Sequence, residues 1–363
     1  MTQTAIPFLF IRGGTSRGPY FNRTDLPENL DKLSEVLIAI CGSGHPQNID
    51  GIGGGHPVTT KVAMLSRATD DWAEIDYFFA QVNPTEHLVD FKPTCGNILS
   101  GVGQAAVEFG LIKPEGNRAT VNINAVNTGA KVTSEFELAD GKPVYHGDTV
   151  VDGVPGTHAP VTLKFMDVAG SSLGAFLPTG NLIDKIDGIE VTCLDIAMPM
   201  VLARAEDFGK DCTESRDELD ADKAFYEKME PIRLKAAELM GMGDCSKSVT
   251  PKFGLLAPAS KGGDIAVRYF MPWSAHPTLA VTGGQCMAAC SLMEGTIADG
   301  MMARAASPAT LMIEQPLGMI EIVTEYENTE EGFKHISGGL KRTARLLARG
   351  EVMVPTDIWD GSK

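Results

Sequence analysis

Two segments of this chain are apolar around their whole helical circumference, and they constrain the fold more than any other feature. The first covers residues 95–109 and the second covers residues 277–292. A helix without a polar face is stable only when it is buried on every side. One such helix in each half of the chain, with short strands around it, predicts two domains that each enclose a central helix.

Short apolar runs bounded by turn residues predict the strands that cover these helices. They occupy residues 8–11, 75–82, 119–123, 161–165, 189–193, 265–270 and 318–323. More polar helices are predicted over residues 30–40 and 220–240, the second with a break or kink at Pro231. The expected fold class is therefore α+β.

Chain length and a weak internal repeat also indicate two domains. A chain of 363 residues exceeds the usual size of a single hydrophobic core. Residues 11–21 and 194–202 follow a similar course, in which a strand breaks at small residues, resumes and turns. We expect a domain boundary between residues 183 and 184, which gives domains 1–183 and 184–363.

Charge and cysteine content limit the classes of binding partner and indicate the cellular compartment. The chain has 31 Lys+Arg against 47 Asp+Glu, a formal net charge of -16, which disfavours nucleic acid and anionic membranes. No apolar stretch is long enough to span a bilayer. The seven cysteines lack the spacing of a metal site, and no signal peptide is recognisable, so a reducing cytoplasm is expected. The sequence is compatible with a homodimer but does not fix the oligomeric state.

One lysine is placed where chemistry is plausible. Lys61 follows a glycine-rich loop that includes Gly53, Gly54 and Gly55, and it stands where an apolar run begins. Glycine lets the backbone turn sharply and approach a ligand closely. A half-buried lysine in this position is a candidate base for removing an acidic C–H proton. The alternative is a surface lysine beside a flexible loop.

The start of the first apolar helix offers a thiol and an anion site. Helix N-termini carry free N–H groups and partial positive charge, which favour carboxylates and thiolates. Cys95 lies at this end, and Gly96 and Asn97 follow it. Cys95 is therefore either an acid or base in catalysis or a packed thiol. The other six cysteines are expected to be structural.

Further candidate carboxylate ligands occur in both halves. Arg12, Ser16 and Arg17 flank a glycine-rich break in the first strand and could clamp a carboxylate, or they could form a solvated turn. His276 and Thr278 precede the second apolar helix, where His276 could contact an anion or satisfy the helix end.

Familiar cofactor motifs are missing from the sequence. It contains no Walker loop, no dinucleotide fingerprint and no nucleophile elbow, and the glycine-rich loop precedes a strand, which is the wrong order for a dinucleotide site. We expect no metal and no cofactor. The candidate chemistry is proton transfer with Lys61 and Cys95 as the titrating pair.

Several motifs together resemble the PrpF family, which includes 2-methylaconitate cis–trans isomerase and 4-oxalomesaconate tautomerases. The resemblance runs from about Ile11 to Val352. The motifs are Arg12-Gly13-Gly14-Thr15-Ser16-Arg17-Gly18, Ile49-Asp50-Gly51-Ile52-Gly53-Gly54, Thr60-Lys61-Val62-Ala63, Cys95-Gly96-Asn97-Ile98-Leu99, Leu177-Pro178-Thr179-Gly180-Asn181 and Arg342-Thr343-Ala344-Arg345.

The resemblance implies a diaminopimelate epimerase-like fold. That fold has two pseudo-symmetric domains, each a mixed sheet rolled around a central buried helix, with the active site in the cleft between them. The resemblance also implies cofactor independence, a lysine base at Lys61 and an active-site cysteine at Cys95.

Three departures from the family pattern affect specificity. The start of the second helix offers Thr278-Leu279-Ala280 and no second cysteine, which disfavours a two-thiol racemase. Many members carry lysine where Arg17 stands, and arginine favours bidentate carboxylate binding. Leu317 replaces a serine found in many members, which removes one hydroxyl from the expected ligands.

The resulting expectation is an isomerase acting on an unsaturated tricarboxylate. The preferred activity is that of a 4-oxalomesaconate tautomerase or isomerase of aromatic-acid catabolism, a keto–enol tautomerase or an allylic double-bond isomerase. Lys61 and Cys95 are the expected catalytic residues. The expected substrate ligands are Ser16, Arg17, Gly96, Asn97, His276 and Thr278. The alternatives are 2-methylaconitate cis–trans isomerase and a non-catalytic carboxylate-binding protein.

Overall fold

The last long strand of the chain pairs with the first in the computed structural model, which describes residues 2–330 and 332–362. This pairing gives two units. Unit 1 comprises the chain up to Lys164 and again from Lys341, and unit 2 comprises Phe165–Leu340. The division differs from the single boundary expected between residues 183 and 184, because local sequence patterns do not report a pairing across the whole chain.

Unit 1 is a mixed sheet with a helix on each face. Its strands are β1 (Gln3–Gly13), β2 (Ser16–Asn22), β3 (Lys61–Arg67), β4 (Ile75–Val82), β5 (Val89–Asp90), β6 (Arg118–Ala125), β7 (Ala130–Ala139), β8 (Lys142–Pro143) and β9 (Pro160–Met166). Its helices are α1 (Leu30–Cys41), α2 (Gly96–Leu99) and α3 (Val102–Glu108).

Strand pairing in unit 1 surrounds helices α2 and α3. The order β1, β2, β3, β4, β6, β7 is followed by β9, which also pairs with the final strand. Helices α2 and α3 contact β1, β2, β3 and β7. On the other face, Leu33, Val36 and Leu37 of α1 pack against Val62 and Met64 of β3 in a hydrophobic core. The apolar segment that follows Cys95 is therefore a central helix, as the sequence predicted.

Unit 2 repeats this plan with its own elements. Its strands are β10 (Asp184–Ile186), β11 (Ile189–Asp195), β12 (Pro199–Arg204), β13 (Lys252–Pro258), β14 (Ile265–Phe270), β15 (Ala309–Gln315), β16 (Gly318–Thr329) and the first part of β17 (Gly332–Pro355). Its helices are α4 (Arg216–Ala221), α5 (Lys223–Leu239) and α6 (Val281–Leu292). Helix α6 is buried from Gly283 to Leu292 and contacts β11 to β16.

The same sequence of strand directions in both units supports an internal duplication. From β1 to β7 the successive pairs β1–β2, β2–β3, β3–β4, β4–β6 and β6–β7 alternate between antiparallel and parallel. The pairs from β11 to β16 alternate in the same way. The two segments that resemble each other in sequence, residues 11–21 and 194–202, form the equivalent hairpins β1–β2 and β11–β12.

Three of the predicted helices differ from the helices in the structure. The segment 95–109 is split at Ser100 and Gly101, where the backbone lies against the Tyr20 hydroxyl. The helix predicted over 220–240 is interrupted at Asp222, whose carboxylate caps α5, and α5 runs through Pro231 without a break. Burial of its apolar face against the sheet holds the helix across this proline.

Helix α6 begins at Val281, four residues later than predicted. Ala280 is extended, with φ -68° and ψ 143°. The preceding residues form a turn in which the Thr278 N–H donates to Nδ1 of His276 at 3.0 Å. Within the described ranges, no helix has the length and apolar character needed to cross a bilayer.

One histidine of unit 2 is buried without hydrogen-bond partners among the described residues. His335 on β17 pairs across the sheet with Tyr326 on β16, and neither of its buried ring nitrogens has a partner in the part of the chain that the structure describes. Burial lowers the pKa of His335 to about 4. The neutral ring is therefore the form that the folded protein holds, while the unfolded chain exposes a histidine of ordinary basicity.

We predict that His335 makes the protein less stable in mild acid. Because its folded pKa is below the unfolded value, its contribution is complete above pH 6.5 and is lost as pH falls towards 4. Between pH 7 and pH 4.5 the loss should be about 2 kcal/mol. Denaturant unfolding of wild type and His335→Phe at both pH values should show this difference. Exposed His45→Phe is the control, and equal pH dependence of wild type and His335→Phe would contradict the prediction.

Candidate active site

The β1–β2 hairpin lies directly against the start of α2. A Cβ atom on Gly13 would lie 2.3 Å from the Asn97 carbonyl oxygen, and one on Gly14, at φ +49°, would lie 2.1 Å from Asn97 Oδ1. The hairpin is held by Gly14 N–H donating to Thr343 O at 2.9 Å and by Asn97 Nδ2 donating to Thr15 Oγ1 at 3.0 Å. These contacts fix the position of Asn97 at the first turn of the helix.

Lys61 is the first residue of β3, and its amine is held by β4. Nζ lies 2.7 Å from Oε1 of Gln81, its cross-strand partner, and 5.3 Å from the centroid of the Phe79 ring. Gln81 is itself fixed, because its Nε2 donates to Pro57 O at 3.1 Å and Val82 O at 3.2 Å. The lysine is half-buried, as predicted.

The backbone around Lys61 is as tightly packed as its side chain. A Cβ atom on Gly18 would lie 1.7 Å from the Lys61 carbonyl oxygen, so only glycine permits β2 to approach β3 this closely. The hairpin that contacts Asn97 thus also positions Lys61.

The glycine-rich loop that precedes Lys61 is closely packed. A Cβ atom on Gly53 would lie 2.4 Å from Cys41 O, and one on Gly55, at φ +70°, would lie 2.4 Å from Pro46 O. The loop glycines therefore let the loop fold back on the end of α1 and its own preceding residues. A short helical turn at Pro57–Thr59 separates this loop from Lys61.

Cys95 is the N-cap residue of α2 and is half-buried. The Tyr77 hydroxyl donates to Cys95 O at 3.4 Å, and the Tyr20 hydroxyl donates to Ile98 O. Burial raises the pKa of both tyrosines well above the usual value, and the nearby Cys95 raises both further. Both phenols therefore stay protonated and hold the first turn of α2 by donating hydrogen bonds.

The other six cysteines are all buried. Burial raises the pKa of Cys41, Cys193 and Cys290 to about 12, which keeps these thiols protonated. Cys95 is thus distinguished from the remaining cysteines by its accessibility.

One row of side chains on β4 connects Lys61 with Cys95. Tyr77, Phe79 and Gln81 alternate along the strand and so share one face of the sheet. Gln81 and Phe79 contact the Lys61 amine, and Tyr77 contacts the Cys95 backbone. The structure therefore brings the two predicted catalytic residues to the same face, on neighbouring parts of unit 1.

Ser16 belongs to this face and Arg17 does not. Ser16 pairs with Gly13, which points towards α2, and its buried hydroxyl has no partner among the described residues. Arg17 follows it, so its side chain points to the opposite face, where it is exposed and lies 5.7 Å from the Phe10 ring centroid. The predicted pairing of Ser16 and Arg17 as one carboxylate clamp conflicts with this alternation.

His276 and Thr278 lie together in unit 2. The Thr278 hydroxyl is also 3.3 Å from His276 Nδ1, and burial lowers the pKa of His276. Their position before α6 makes them turn residues and not the first residues of the helix. Their role in binding the same substrate as Lys61 stays a prediction.

Two residues of this face were missed in the sequence. Gln81 could have been found as the polar member of an otherwise apolar strand face at residues 75–82. Arg342 stands in one of the motifs that carry the family resemblance but was not among the expected ligands; burial lowers the pKa of its guanidinium to about 10.

Across the described residues, no group of three or more His, Cys, Asp or Glu side chains is arranged to hold a metal ion. The sheet face that carries Lys61 also carries Gln81, Ser16, Tyr20 and Tyr77, and Cys95 lies at the helix start that the two tyrosines contact. Such a set can exchange protons and bind carboxylates.

Comparison with known proteins places this chain in a family. The family model described as "PrpF protein" matches residues 3–355. The 4-oxalomesaconate tautomerase of Pseudomonas putida is 42% identical over 363 residues, covering 99% of each chain. The (4E)-oxalomesaconate Delta-isomerase of Novosphingobium sp. (strain KA1) is 41% identical, covering 96% of this chain and 97% of the relative.

A solved structure shows the same fold. The crystal structure of methylitaconate-delta-isomerase superposes with a TM-score of 0.89 at 31% identity, covering 99% of this chain and 97% of that chain. This confirms the α+β fold that the resemblance implied, and the named relatives confirm the expected enzyme class, an isomerase.

We predict that Gly18→Ala damages the site through the backbone of Lys61. The added methyl group must displace Lys61 O, and overpacking of this kind costs roughly 1–3 kcal/mol. A displacement near 1 Å at a catalytic group can lower turnover by about 10²-fold. Gly350→Ala is a matched control, because its Cβ would lie 3.9 Å from the nearest atom, a carbon of Phe8. Thermal unfolding and turnover should separate the two variants, and equal behaviour would contradict the packing argument.

Proposed function

The chain belongs to the PrpF family, and from this premise we propose that it is a cofactor-independent isomerase of 4-oxalomesaconate, an unsaturated tricarboxylate. The observation that carries the proposal is the joint placement of Lys61 and Cys95 on one face of unit 1. The 42% and 41% identity to two enzymes named for this substrate supports the choice of substrate.

Lys61 acts as the base in the proposed reaction. A neutral amine can donate one N–H to Gln81 Oε1 and keep its lone pair free for a proton on carbon. Once the proton is taken, the ammonium gains from the same carbonyl oxygen and from the face of the Phe79 ring. These contacts are stronger with the charged product of proton transfer than with the neutral amine, which is the condition for catalysis.

The start of α2 stabilises the negative charge that develops on the substrate when Lys61 removes a proton. The first N–H groups of a helix have no acceptor within the helix, and in α2 these belong to Gly96 and Asn97. They are suited to hold a carboxylate or the enolate oxygen that develops beside it. The Tyr20 and Tyr77 hydroxyls hold this turn by hydrogen bonds to its backbone carbonyl oxygens. The N–H donors of Gly96 and Asn97 therefore need no rearrangement during the reaction.

Cys95 returns or shuttles the proton. Its thiol is at the helix N-terminus, where a thiolate is favoured, and it is the accessible cysteine of the chain. Proton removal by Lys61 and proton delivery by Cys95 at a second atom of the same conjugated system move a double bond. Delivery to oxygen makes the reaction a keto–enol tautomerisation, and delivery to carbon makes it an allylic isomerisation.

We place the enzyme in the cytoplasm, acting on a small molecule without nucleic acid or membrane partners. Seven free cysteines and the acidic composition support this assignment. His276 and Thr278 remain proposed ligands of the remaining carboxylates, and Arg17 remains a weaker candidate on the other face.

We predict that Lys61→Met lowers turnover by at least about 10²-fold with the fold intact, since general-base catalysis contributes 10²–10⁴-fold. Lys32→Met on the exposed face of α1 is the control. Each protein is incubated with 4-oxalomesaconate, 2-methylaconitate or proline in deuterated water. Proton NMR then shows which acid reacts, which product forms and which atom carries deuterium. Deuterium on carbon indicates the allylic reaction, whereas an enol product indicates tautomerisation.

Turnover of Lys61→Met within a few-fold of wild type would contradict the base assignment. Binding of all three acids without any exchange of hydrogen would indicate a carboxylate-binding protein and contradict the enzyme.

A further inference from the structure

Arg342 is a half-buried arginine without an acidic partner among the described residues. Its NH1 donates to the Lys341 carbonyl oxygen at 3.2 Å, and among these residues no carboxylate forms an ion pair with it. The fully buried Arg233 offers a contrast, because its Nε and NH2 each bind a carboxylate oxygen of Glu230 at 2.7 Å. A guanidinium that is partly removed from water and faces no counter-charge adds little stability to the ligand-free protein.

The register of β17 shows which way Arg342 points. Ala344 pairs with Gly13, and Thr343 turns to the other face, where its hydroxyl accepts from Arg12 NH1 at 3.1 Å. Residues two apart in a strand share a face. Arg342 therefore shares the face of Ala344 and Gly13, which is the face directed at Asn97 of α2.

The same face carries a second polar group without a partner. Ser16 pairs with Gly13 on the other side of β1, is only 3% exposed, and its hydroxyl has no hydrogen bond among the described residues. Ser16 and Arg342 thus stand on strands that are separated by β1 alone, about 10 Å apart across the sheet. An arginine side chain and one carboxylate group can span that distance.

We propose that Arg342 binds a substrate carboxylate, with the Ser16 hydroxyl as a second donor, and so selects tricarboxylates over dicarboxylates. This inference rests on the proposed function and extends it by naming the anchor for the part of the substrate that does not react. Carboxylate geometry matches the planar fork of arginine, and such charge-assisted pairs are the strong class of hydrogen bond. Arg17 lies on the opposite face, whereas Arg342 shares the face of Ser16.

An anchor of this kind leaves a signature in the ligand-free protein. A structural arginine stabilises the fold, so its removal lowers the melting temperature. Arg342 has no carboxylate to pair with before substrate binds, so its replacement by an uncharged side chain of similar length should leave the melting temperature unchanged or raise it.

Calorimetric titration with propane-1,2,3-tricarboxylate and with glutarate tests the proposal. These saturated acids differ by one carboxylate and cannot react by double-bond migration. The proteins are wild type, Arg342→Gln, Arg342→Lys and, as a matched control, Arg345→Gln, whose exposed side chain lies on the opposite face three residues further along. Arg342→Gln should lower the affinity for the tricarboxylate by about 10–100-fold, since a hydrogen bond to a charged group contributes about 1.5–3 kcal/mol. It should also reduce the ratio of tricarboxylate affinity to glutarate affinity.

Arg342→Lys should recover part of the affinity through charge alone, and Arg345→Gln should stay within about twofold of wild type. If wild type binds the tricarboxylate and Arg342→Gln binds it equally well, the anchor is wrong while the function stands. If wild type binds no tricarboxylate, both the Arg342 anchor and the proposed function are wrong. A fall in the melting temperature of ligand-free Arg342→Gln with unchanged affinity marks a structural arginine and overturns the proposal. If Arg342→Gln does not fold, unchanged tricarboxylate preference in Arg342→Lys contradicts it.

Discussion

The site depends on close contact between backbones that only glycine permits. Gly13 and Gly14 press the first hairpin against Asn97, and Gly18 presses the second strand against the Lys61 carbonyl oxygen. A Cβ atom at Gly13 or Gly14 would collide with Asn97 of the central helix, and one at Gly18 would collide with the neighbouring strand. The hairpin therefore couples the position of Lys61 on β3 to that of the start of α2.

The other side chains of the site are positioned by the regular alternation of a β-strand. Alternation along β4 places Gln81, Phe79 and Tyr77 on one face, where they hold the Lys61 amine and the Cys95 backbone. Burial keeps the tyrosines protonated, so they act as fixed donors. The catalytic groups are thus carried by rigid elements, which suits a reaction that relies on preorganised donors and a well-placed base.

Much of this arrangement could be predicted from the sequence. The apolar circumference of the segments after Cys95 and His276 revealed two central helices, and the internal echo between residues 11–21 and 194–202 marked equivalent hairpins. Lys61 and Cys95 were proposed from the chemistry of a strand start and a helix start, and their catalytic roles stay predictions. These are local signals, because periodicity and helix-end chemistry depend on neighbouring residues.

The rest depended on contacts between distant residues. The pairing of β17 with β1 returns the chain to unit 1, and no composition shift marks that return. The same pairing gives Arg342 its face, which the Arg342-Thr343-Ala344-Arg345 motif alone does not reveal. Strand register also assigned Ser16 and Arg17 to opposite faces, where adjacency in sequence suggested one clamp. Capping by Asp222 and the turn at His276 moved helix ends away from their predicted positions.

The most direct test of the central claim, that Cys95 faces the substrate beside Lys61, is alkylation by iodoacetamide followed by mass spectrometry and activity. We expect modification of Cys95 before the six buried cysteines, loss of activity in step with that modification, and slower reaction when propane-1,2,3-tricarboxylate is bound. Complete modification of Cys95 with full activity would contradict it, as would a rate that the tricarboxylate does not change.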